Sequence, residues 1–316
     1  MSLAFTPPDS NGSYPSEGHN RMRLQRLWKR LYVPLMLAPV VLTITTLFVG
    51  ALIVAMLQSF GYAPIYGINE FPTFKYYRQL FELPGFWASV GLTFYYAIVP
   101  TVVGTVFSVY LAMSLRRKFI GRSIVQFVYK LPLMIPYLVG VAVTIVLFGN
   151  GGIIARALFA IGLIDSTGEF PRLLYSHGGW GIMFVYIWKQ VPFTTLIVYS
   201  VLMGLGPESE EAAATLGANK WQTFWQVTLP QIMPGIVSAT IIVFAFNFGN
   251  FEIPFILGGG FPNTLPVEAW RAFEDADYAR RLRAMAIVMF IGLLSGFVLF
   301  VYLATYRRFE RLRGRQ

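Results

Sequence analysis

Two charged residues stand inside long apolar runs, and they are the first candidates for chemistry. Lys189 lies in the run 181–205, and Glu252 lies in the run 232–257. A charge at the centre of a bilayer costs about 3 kcal/mol on insertion scales, so such residues tend to mark a pathway through the membrane. We predict that the two lie at similar depth and either pair with each other or line such a pathway. Their polar neighbours are candidates for the same pathway: Trp188, Gln190, Asn247 and Asn250.

Several classes of reaction are excluded by the residues that are missing. The chain has no cysteine, which excludes thiolate catalysis and thiolate metal sites, and its two histidines, His19 and His177, have no partners spaced for a metal site or a catalytic triad. No G-x-x-x-x-G-K-[ST] sequence occurs, so no P-loop can hold nucleotide phosphates. We therefore expect no catalytic residue, no metal and no cofactor on this chain.

The composition is that of a membrane protein. Of the 316 residues, 56% are hydrophobic and 13% are charged, with a net charge of +10. The basic residues are grouped in short segments between apolar runs instead of covering one soluble face, which argues against nucleic-acid binding.

Six apolar runs are long enough to cross a bilayer, which predicts an all-α integral membrane protein with six transmembrane helices. The first run has 25 uncharged residues and is too long for the core of a signal peptide. The runs are 33–57, 86–115, 131–148, 181–205, 232–257 and 284–306.

The basic residues also predict the orientation, because cytoplasmic segments are enriched in Lys and Arg. The segments predicted on the cytoplasmic side are 21–30, the loop 116–122, the stretch 207–230 and the tail 307–316. Both termini are therefore predicted to be cytoplasmic. The predicted division is a basic, partly disordered tail (1–30, with 1–20 rich in Ser, Pro, Gly and Asn), a first transmembrane helix with an outer loop (31–80), a five-helix core (81–306) and a basic tail (307–316).

Two loops are predicted on the outer side. Residues 149–179 contain a short apolar helix bounded by glycines, which we expect to lie on the outer face rather than to span. Residues 258–283 begin with glycines and continue into several acidic residues. This second loop is either a contact for a soluble donor protein or a solvated connector.

The stretch 207–230 is polar, yet its pattern is helical. Pro207 suits the first turn of a helix, and Gly217 suits a left-handed stop. Three acidic residues favour the positive end of the helix dipole: Glu208, Glu210 and Glu211.

A second helix is predicted directly after this stop. Asn219 can cap it, and Leu229-Pro230 is expected to end it. One face of this helix can lie in the membrane interface, and its residues follow the helical spacing: Trp221, Phe224, Trp225 and Thr228.

The spacing within this stretch resembles the EAA motif of permease subunits of ATP-binding-cassette importers. Glu211-Ala212-Ala213 is followed by Gly217 and then by Val227 and Leu229-Pro230, with Val227 in place of the usual Ile. The resemblance covers roughly residues 80–310 and implies a type I importer permease fold.

The resemblance also implies partners. It makes the stretch 207–230 a cytoplasmic coupling helix that sits in a groove of a separate ATPase subunit, which is present in two copies and carries ATP and Mg²⁺. A second permease subunit, identical or homologous, and an extracytoplasmic solute-binding protein complete the assembly in the inner membrane of a bacterium or archaeon. The residues implied in coupling are Glu210, Glu211, Ala212, Ala213, Gly217, Leu229 and Pro230.

The solute is open at this stage. The segment 215–218 is similar to permeases for polyamines, ferric ion and phosphonates, so a small charged compound is the first expectation. Two other segments, 258–264 and Trp188-Lys189 with Pro192-Phe193, are also similar to sugar permeases, and the second leaves Lys189 open to a structural role. A secondary transporter or channel that does not use ATP is the alternative function.

Overall fold

The computed structural model describes residues 17–176, 178–206 and 208–313. The expectations for residues 1–16, His177 and Pro207 lie outside these ranges, as does the side chain of His19. Contacts within the chain divide it into two units, and the boundary falls between Met56 and Leu57.

The first unit consists mainly of one long helix, α1 (Glu17–Ser59). Its part from Tyr32 to Ser59 is long and apolar enough to cross a membrane, which confirms the predicted first span. Residues 17–20 were expected in the polar tail, but the helix already includes them.

The second unit begins with the last three residues of α1 and continues with a small hairpin that the all-α prediction did not include. Strand β1 (Tyr62–Ala63) pairs antiparallel with β2 (Ile68–Asn69) around a 3₁₀ turn, Pro64–Tyr66. Gly67 closes the turn at φ 73°, a conformation that suits glycine. A short helix follows the hairpin, α2 (Lys75–Phe81).

The rest of the second unit is helical. The helices before the EAA-like stretch are α3 (Phe86–Arg116), α4 (Arg122–Val128), α5 (Leu131–Met134), α6 (Tyr137–Phe148), α7 (Ile153–Ala160) and α8 (Trp180–Gly204), with a 3₁₀ turn at Thr167–Glu169. The later helices are α9 (Glu208–Thr215), α10 (Lys220–Thr223), α11 (Leu229–Gly249), α12 (Glu252–Leu257), α13 (Leu265–Glu274) and α14 (Tyr278–Arg313), with a π-helical turn at Phe224–Thr228.

Six helical segments of the described chain are long and apolar enough to cross a membrane, which confirms the predicted count. They are Tyr32–Ser59, Phe86–Arg116, Tyr137–Ala160, Trp180–Gly204, Lys220–Gly249 and Tyr278–Arg308.

The third span differs from the predicted run 131–148 because the helix breaks before Pro136. Ile135 is extended with ψ 126°, as expected for a residue whose helical conformation is disfavoured by a following proline. The span therefore starts at Tyr137 and includes α7. Helix α7 is the short helix that was predicted between glycines, but it was expected to lie on the outer face, whereas it falls within this candidate span.

The fifth span ends earlier than predicted, and this moves Glu252 out of it. The helix stops at Gly249, and Asn250 is extended with ψ 129°. The Asn250 Oδ1 atom accepts a hydrogen bond from the Ile253 N–H at 3.2 Å, so the polar side chain competes with the helix and starts α12. Glu252 lies in this short helix, outside the candidate span.

The prediction that Leu229-Pro230 ends a helix is wrong. The π-helical turn Phe224–Thr228 precedes the proline, and the Leu229 N–H donates to the Phe224 carbonyl, five residues back. Because this wide turn shifts the hydrogen-bond register just before Pro230, the missing N–H of the proline is accommodated and one helix runs from Lys220 to Gly249.

Helix α8 is the central element and packs most extensively against α3. The contact depends on Gly104, where a Cβ atom would lie 2.7 Å from Nε2 of Gln190. The Gln190 Nε2 atom of α8 donates to the Pro100 carbonyl of α3, the helix that also contains Gly104. Small residues allow such close approach between membrane helices.

Gly104→Ala should therefore destabilise the protein. The added methyl group displaces the buried Gln190 side chain, and overpacking of this kind costs about 1–3 kcal/mol. Gly91→Ala is the matched control, because Gly91 lies in α3 with nothing within 4 Å of a Cβ atom. Thermal unfolding in detergent measures both variants, and equal unfolding temperatures would contradict the assigned packing.

Candidate functional site

The EAA-like stretch folds into two helices joined at Gly217. Helix α9 ends with Gly217 at φ 86°, which confirms the predicted left-handed stop. The Gly217 N–H donates to the Ala214 carbonyl, and the Ala218 N–H donates to the Ala213 carbonyl, both at 3.0 Å. This pair of bonds is the Schellman arrangement, which satisfies carbonyls at the end of the helix.

The second helix starts with a capping box, which confirms the role predicted for Asn219. The Asn219 Oδ1 atom accepts from the Gln222 N–H at 2.9 Å, and the Gln222 side chain accepts from the Asn219 N–H at 2.9 Å. Trp221 is 69% exposed and Trp225 is 48% exposed, and their rings contact each other, so this part of the helix presents an aromatic surface.

Glu210 faces inward from α9. Its Oε1 atom accepts a hydrogen bond from Nη1 of Arg116 at 2.5 Å and another from Oγ1 of Thr228 at 2.8 Å. Arg116 is in the last turn of α3, and Thr228 ends the π-helical turn. One carboxylate oxygen therefore ties α9 to two other segments through charge-assisted bonds, which are stronger than neutral ones.

Glu211 faces outward. Within the described residues its carboxylate has no hydrogen bond and no ion pair, and Glu211 is exposed. Ala212 and Ala214 are also exposed, and Leu216 is 88% exposed. The exposed face of α9 thus combines one free negative charge with the small side chains of Ala212 and Ala214.

A cleft of about 240 Å³ lies in the membrane region between α5, α6, α8 and α11. Three of the six predicted pathway residues line this membrane cleft: Lys189, Gln190 and Asn247. Its other walls are apolar and aromatic: Leu133, Tyr137, Phe193, Ile242, Val243 and Phe246.

Asn247 and Gln190 belong to a buried hydrogen-bonded cluster. The Asn247 Nδ2 atom donates to Gln190 Oε1 at 3.0 Å and to Thr101 Oγ1 at 3.1 Å. All three residues are 5–6% exposed. The cluster joins α3, α8 and α11, and it satisfies polar groups that would be costly if unpaired.

Lys189 is held by backbone carbonyls of α5 and of the break that precedes the third span. Its Nζ atom donates to the Pro132 carbonyl at 2.5 Å and also to the Ile135 carbonyl, and it lies 4.6 Å from the centre of the Tyr137 ring. These carbonyls lie where α5 ends, so the ammonium group satisfies acceptors that the break exposes. Lys189 is 6% exposed, and its contacts favour a positioning role over direct binding.

The other three predicted pathway residues do not join this group. The described ion pairs do not include one between Lys189 and Glu252, so of the two alternatives left open for them pairing is not observed. The two residues lie in different environments because the fifth span ends before Glu252. Asn250 accepts from the Tyr186 hydroxyl at 3.2 Å. Trp188 packs over Gly140 of α6.

Three polar residues of these sites were not predicted as site residues: Thr101, Arg116 and Thr228. Thr101 and Arg116 are common residue types in helices, and their partners lie far away in the sequence, 94 residues in the case of Arg116 and Glu210. Thr228 lies 18 residues from its partner Glu210. One local signal was available for Thr228, which was placed on the predicted face of the second helix. Among the described residues no group of His, Asp or Glu is arranged to hold a metal ion.

Comparison with known proteins identifies the family. A family described as "Binding-protein-dependent transport system inner membrane component" matches residues 104–313. The sulfate transport system permease protein CysW of Synechocystis is 30% identical over 214 residues, which cover 66% of this chain and 74% of that protein. The ferric transport system permease protein FbpB of Actinobacillus pleuropneumoniae is 29% identical over 219 residues, 68% of this chain and 30% of its own length.

The fold also has a solved counterpart. A chain of a bacterial alginate ABC transporter, crystallised in complex with an alginate pentasaccharide-bound periplasmic protein, is similar with a TM-score of 0.73 and 19% identity, covering 91% of this chain and 98% of that one. The likeness confirms the predicted fold of an importer permease. The family match includes α8, the EAA-like stretch and the helices that form the membrane cleft. The chain therefore belongs to the family of inner-membrane permease components of binding-protein-dependent transport systems.

Proposed function

We propose that this chain is the pore-forming permease subunit of an ATP-driven importer and that a separate ATPase subunit binds the exposed face of α9. The observation that carries the proposal is the exposed, unpaired carboxylate of Glu211 beside small residues, within a chain of this family. A groove that contains an Arg or Lys side chain complements such a surface. Ala212 has a small side chain and Gly217 has none, so two backbones can approach closely there.

The remaining coupling residues act inside the chain in this proposal. Ala213 is half-buried beneath the exposed face and belongs to the Schellman arrangement at Gly217. Glu210 ties α9 to neighbouring segments, and Leu229 and Pro230 lie where the π-helical turn passes into α11. Movement of α9 then reaches the fifth span without passing through a flexible linker.

The proposed assembly has two permease subunits, identical or homologous, two ATPase subunits below and a solute-binding protein outside. ATP and Mg²⁺ are held by the ATPase subunits, since this chain has no P-loop. ATP can shift the pore between two states only through contacts that differ between those states. The alginate transporter solved with its periplasmic protein supports the outer partner.

We propose that the solute is a small charged compound. The named solutes of two relatives, sulfate and ferric ion, support a small inorganic ion. A sugar remains the second candidate from the sequence. The membrane cleft is the proposed route, with the amides of Gln190 and Asn247 in contact with the solute and Lys189 holding the wall. Trp188, Asn250 and Glu252 lie beside this route in the proposal.

The alternative is a secondary transporter or channel that needs no ATP. Uptake into vesicles distinguishes the two functions, because the importer takes up solute only with ATP and an ATPase subunit. No specific feature of the described residues favours the alternative, since the cleft contains one charged residue, Lys189, and a charge relay needs at least two.

The proposed orientation puts both termini and α9 in the cytoplasm of an inner membrane. The chain has no cysteine, so single cysteines report accessibility without background. In intact cells, Asp165→Cys should react with a membrane-impermeant maleimide, because the proposal places this exposed residue outside. Lys118→Cys should react only after the cells are opened. The reverse result would overturn the orientation.

Changes on α9 test the ATPase contact. Glu211→Lys reverses the free charge, and Gly217→Pro forbids the φ of 86° that ends α9. Both variants should insert into the membrane but retain much less ATPase subunit when the tagged chain is purified in detergent. Glu208→Lys is the matched control on the same first turn, with no described ion pair, and should retain the subunit. Normal retention by both test variants would rule out the contact.

A further inference from the structure

We propose that Glu210 is a positioning residue that links α9 to the membrane cleft through a pair of helices tied together at two levels. The pair consists of α3 and the continuous helix from Lys220 to Gly249. This inference rests on the proposed role of α9 as the ATPase contact and adds the route by which movement of α9 reaches the solute.

The first tie is at the predicted cytoplasmic end. The Oε1 atom of Glu210 accepts from Arg116 at 2.5 Å and from Thr228 at 2.8 Å, so one atom bonds to the last turn of α3 and to the π-helical turn of the other helix. Thr228 is 1% exposed, and the Arg116 and Glu210 side chains are 22% and 30% exposed. A partly buried, charge-assisted contact of this kind is screened less by salt than a surface ion pair.

The second tie lies at the membrane cleft. Asn247 donates to Thr101 at 3.1 Å, which again joins the same two helices, and to Gln190 at 3.0 Å, which adds α8. Thr101 and Asn247 lie roughly 22 to 28 Å along their helices from Arg116 and Thr228, at 1.5 Å per residue. Between the two ties the helices pack against each other.

Only one of the three acidic residues on α9 makes such a tie. Glu208 and Glu211 are exposed and have no ion pair within the described chain, whereas Glu210 faces the helix pair. At the other end of α9, Leu216 is 88% exposed. A partner that binds the exposed face and displaces α9 therefore also moves the helix pair, because Glu210 is bonded to both of its helices.

The π-helical turn gives this link a place to bend. Thr228 is the last residue of the turn, directly before α11. Single turns of this type are sites where a helix changes its register or direction. A tie at Thr228 acts on α11 beyond the turn, so displacement of α9 moves the helix that carries Asn247.

A single-cysteine reporter in the cleft tests this link without knowledge of the solute. Ile242 lines the membrane cleft and is 53% exposed, and the chain has no other cysteine. The Ile242→Cys chain, purified with its ATPase partner and placed in lipid nanodiscs, is treated with a small water-soluble maleimide with and without ATP and vanadate. The rate of modification should change when ATP and vanadate are present.

The same reporter is then combined with Glu210→Gln, which removes the charge but keeps the shape. We expect the ATPase subunit still to co-purify and hydrolyse ATP, while the effect of nucleotide on the modification rate is lost. Arg116→Gln, which leaves α9 itself unchanged, should give the same loss. Glu208→Gln is the matched control and should keep the full response.

The outcomes separate the link from the proposed function. A normal nucleotide response in both Glu210→Gln and Arg116→Gln would overturn the link and leave the proposed function intact. Loss of the ATPase subunit from Glu210→Gln would assign Glu210 to the contact surface, which also overturns the link. If no ATPase co-purifies with the reporter chain itself, the proposed function fails and the link fails with it.

Discussion

Polar groups inside a bilayer must find partners within the protein, and this constraint governs the centre of the molecule. Asn247 satisfies its amide on Thr101 and Gln190, and Gln190 satisfies its own on the Pro100 carbonyl. Each of these bonds joins two different helices, so the cost of burying an amide is offset only when α3, α8 and α11 are in register. Gly104 is required by the same arrangement, because its missing side chain gives Gln190 room. The cluster therefore sets the register of the three helices beside the cleft.

A second consequence of the constraint is seen at the helix breaks. The third span breaks before Pro136, and the carbonyls left there accept hydrogen bonds from the Lys189 ammonium. A charged residue in a membrane helix thus has a structural partner in the backbone, and it does not need an acidic residue. In α9, the acidic residues have two different roles. Glu210 is used internally, and Glu211 remains available to a partner protein.

The features that could be predicted from the sequence are those encoded by neighbouring residues. The spans follow from long apolar runs, the stop at Gly217 from the absence of a Cβ atom, and the cap at Asn219 from a side chain that reaches its own helix. Glu252 was misplaced because an apolar run does not reveal where Asn250 interrupts a helix. The roles of Thr101 and Arg116 could not be predicted, since Thr101 meets Asn247 across 146 residues of sequence. Helix propensity and periodicity carry no information about such distant pairs.

The most direct test of the account is a photo-crosslink from the tip of α9 in native membranes. A benzophenone amino acid replaces Leu216, which is 88% exposed, and a second variant carries it at Ile65, which is 84% exposed in the hairpin turn that the proposed orientation places outside. After irradiation, mass spectrometry identifies the captured proteins. We predict that position 216 captures a P-loop ATPase subunit and that position 65 does not. Capture of the ATPase from neither position, or from position 65 alone, would contradict the account.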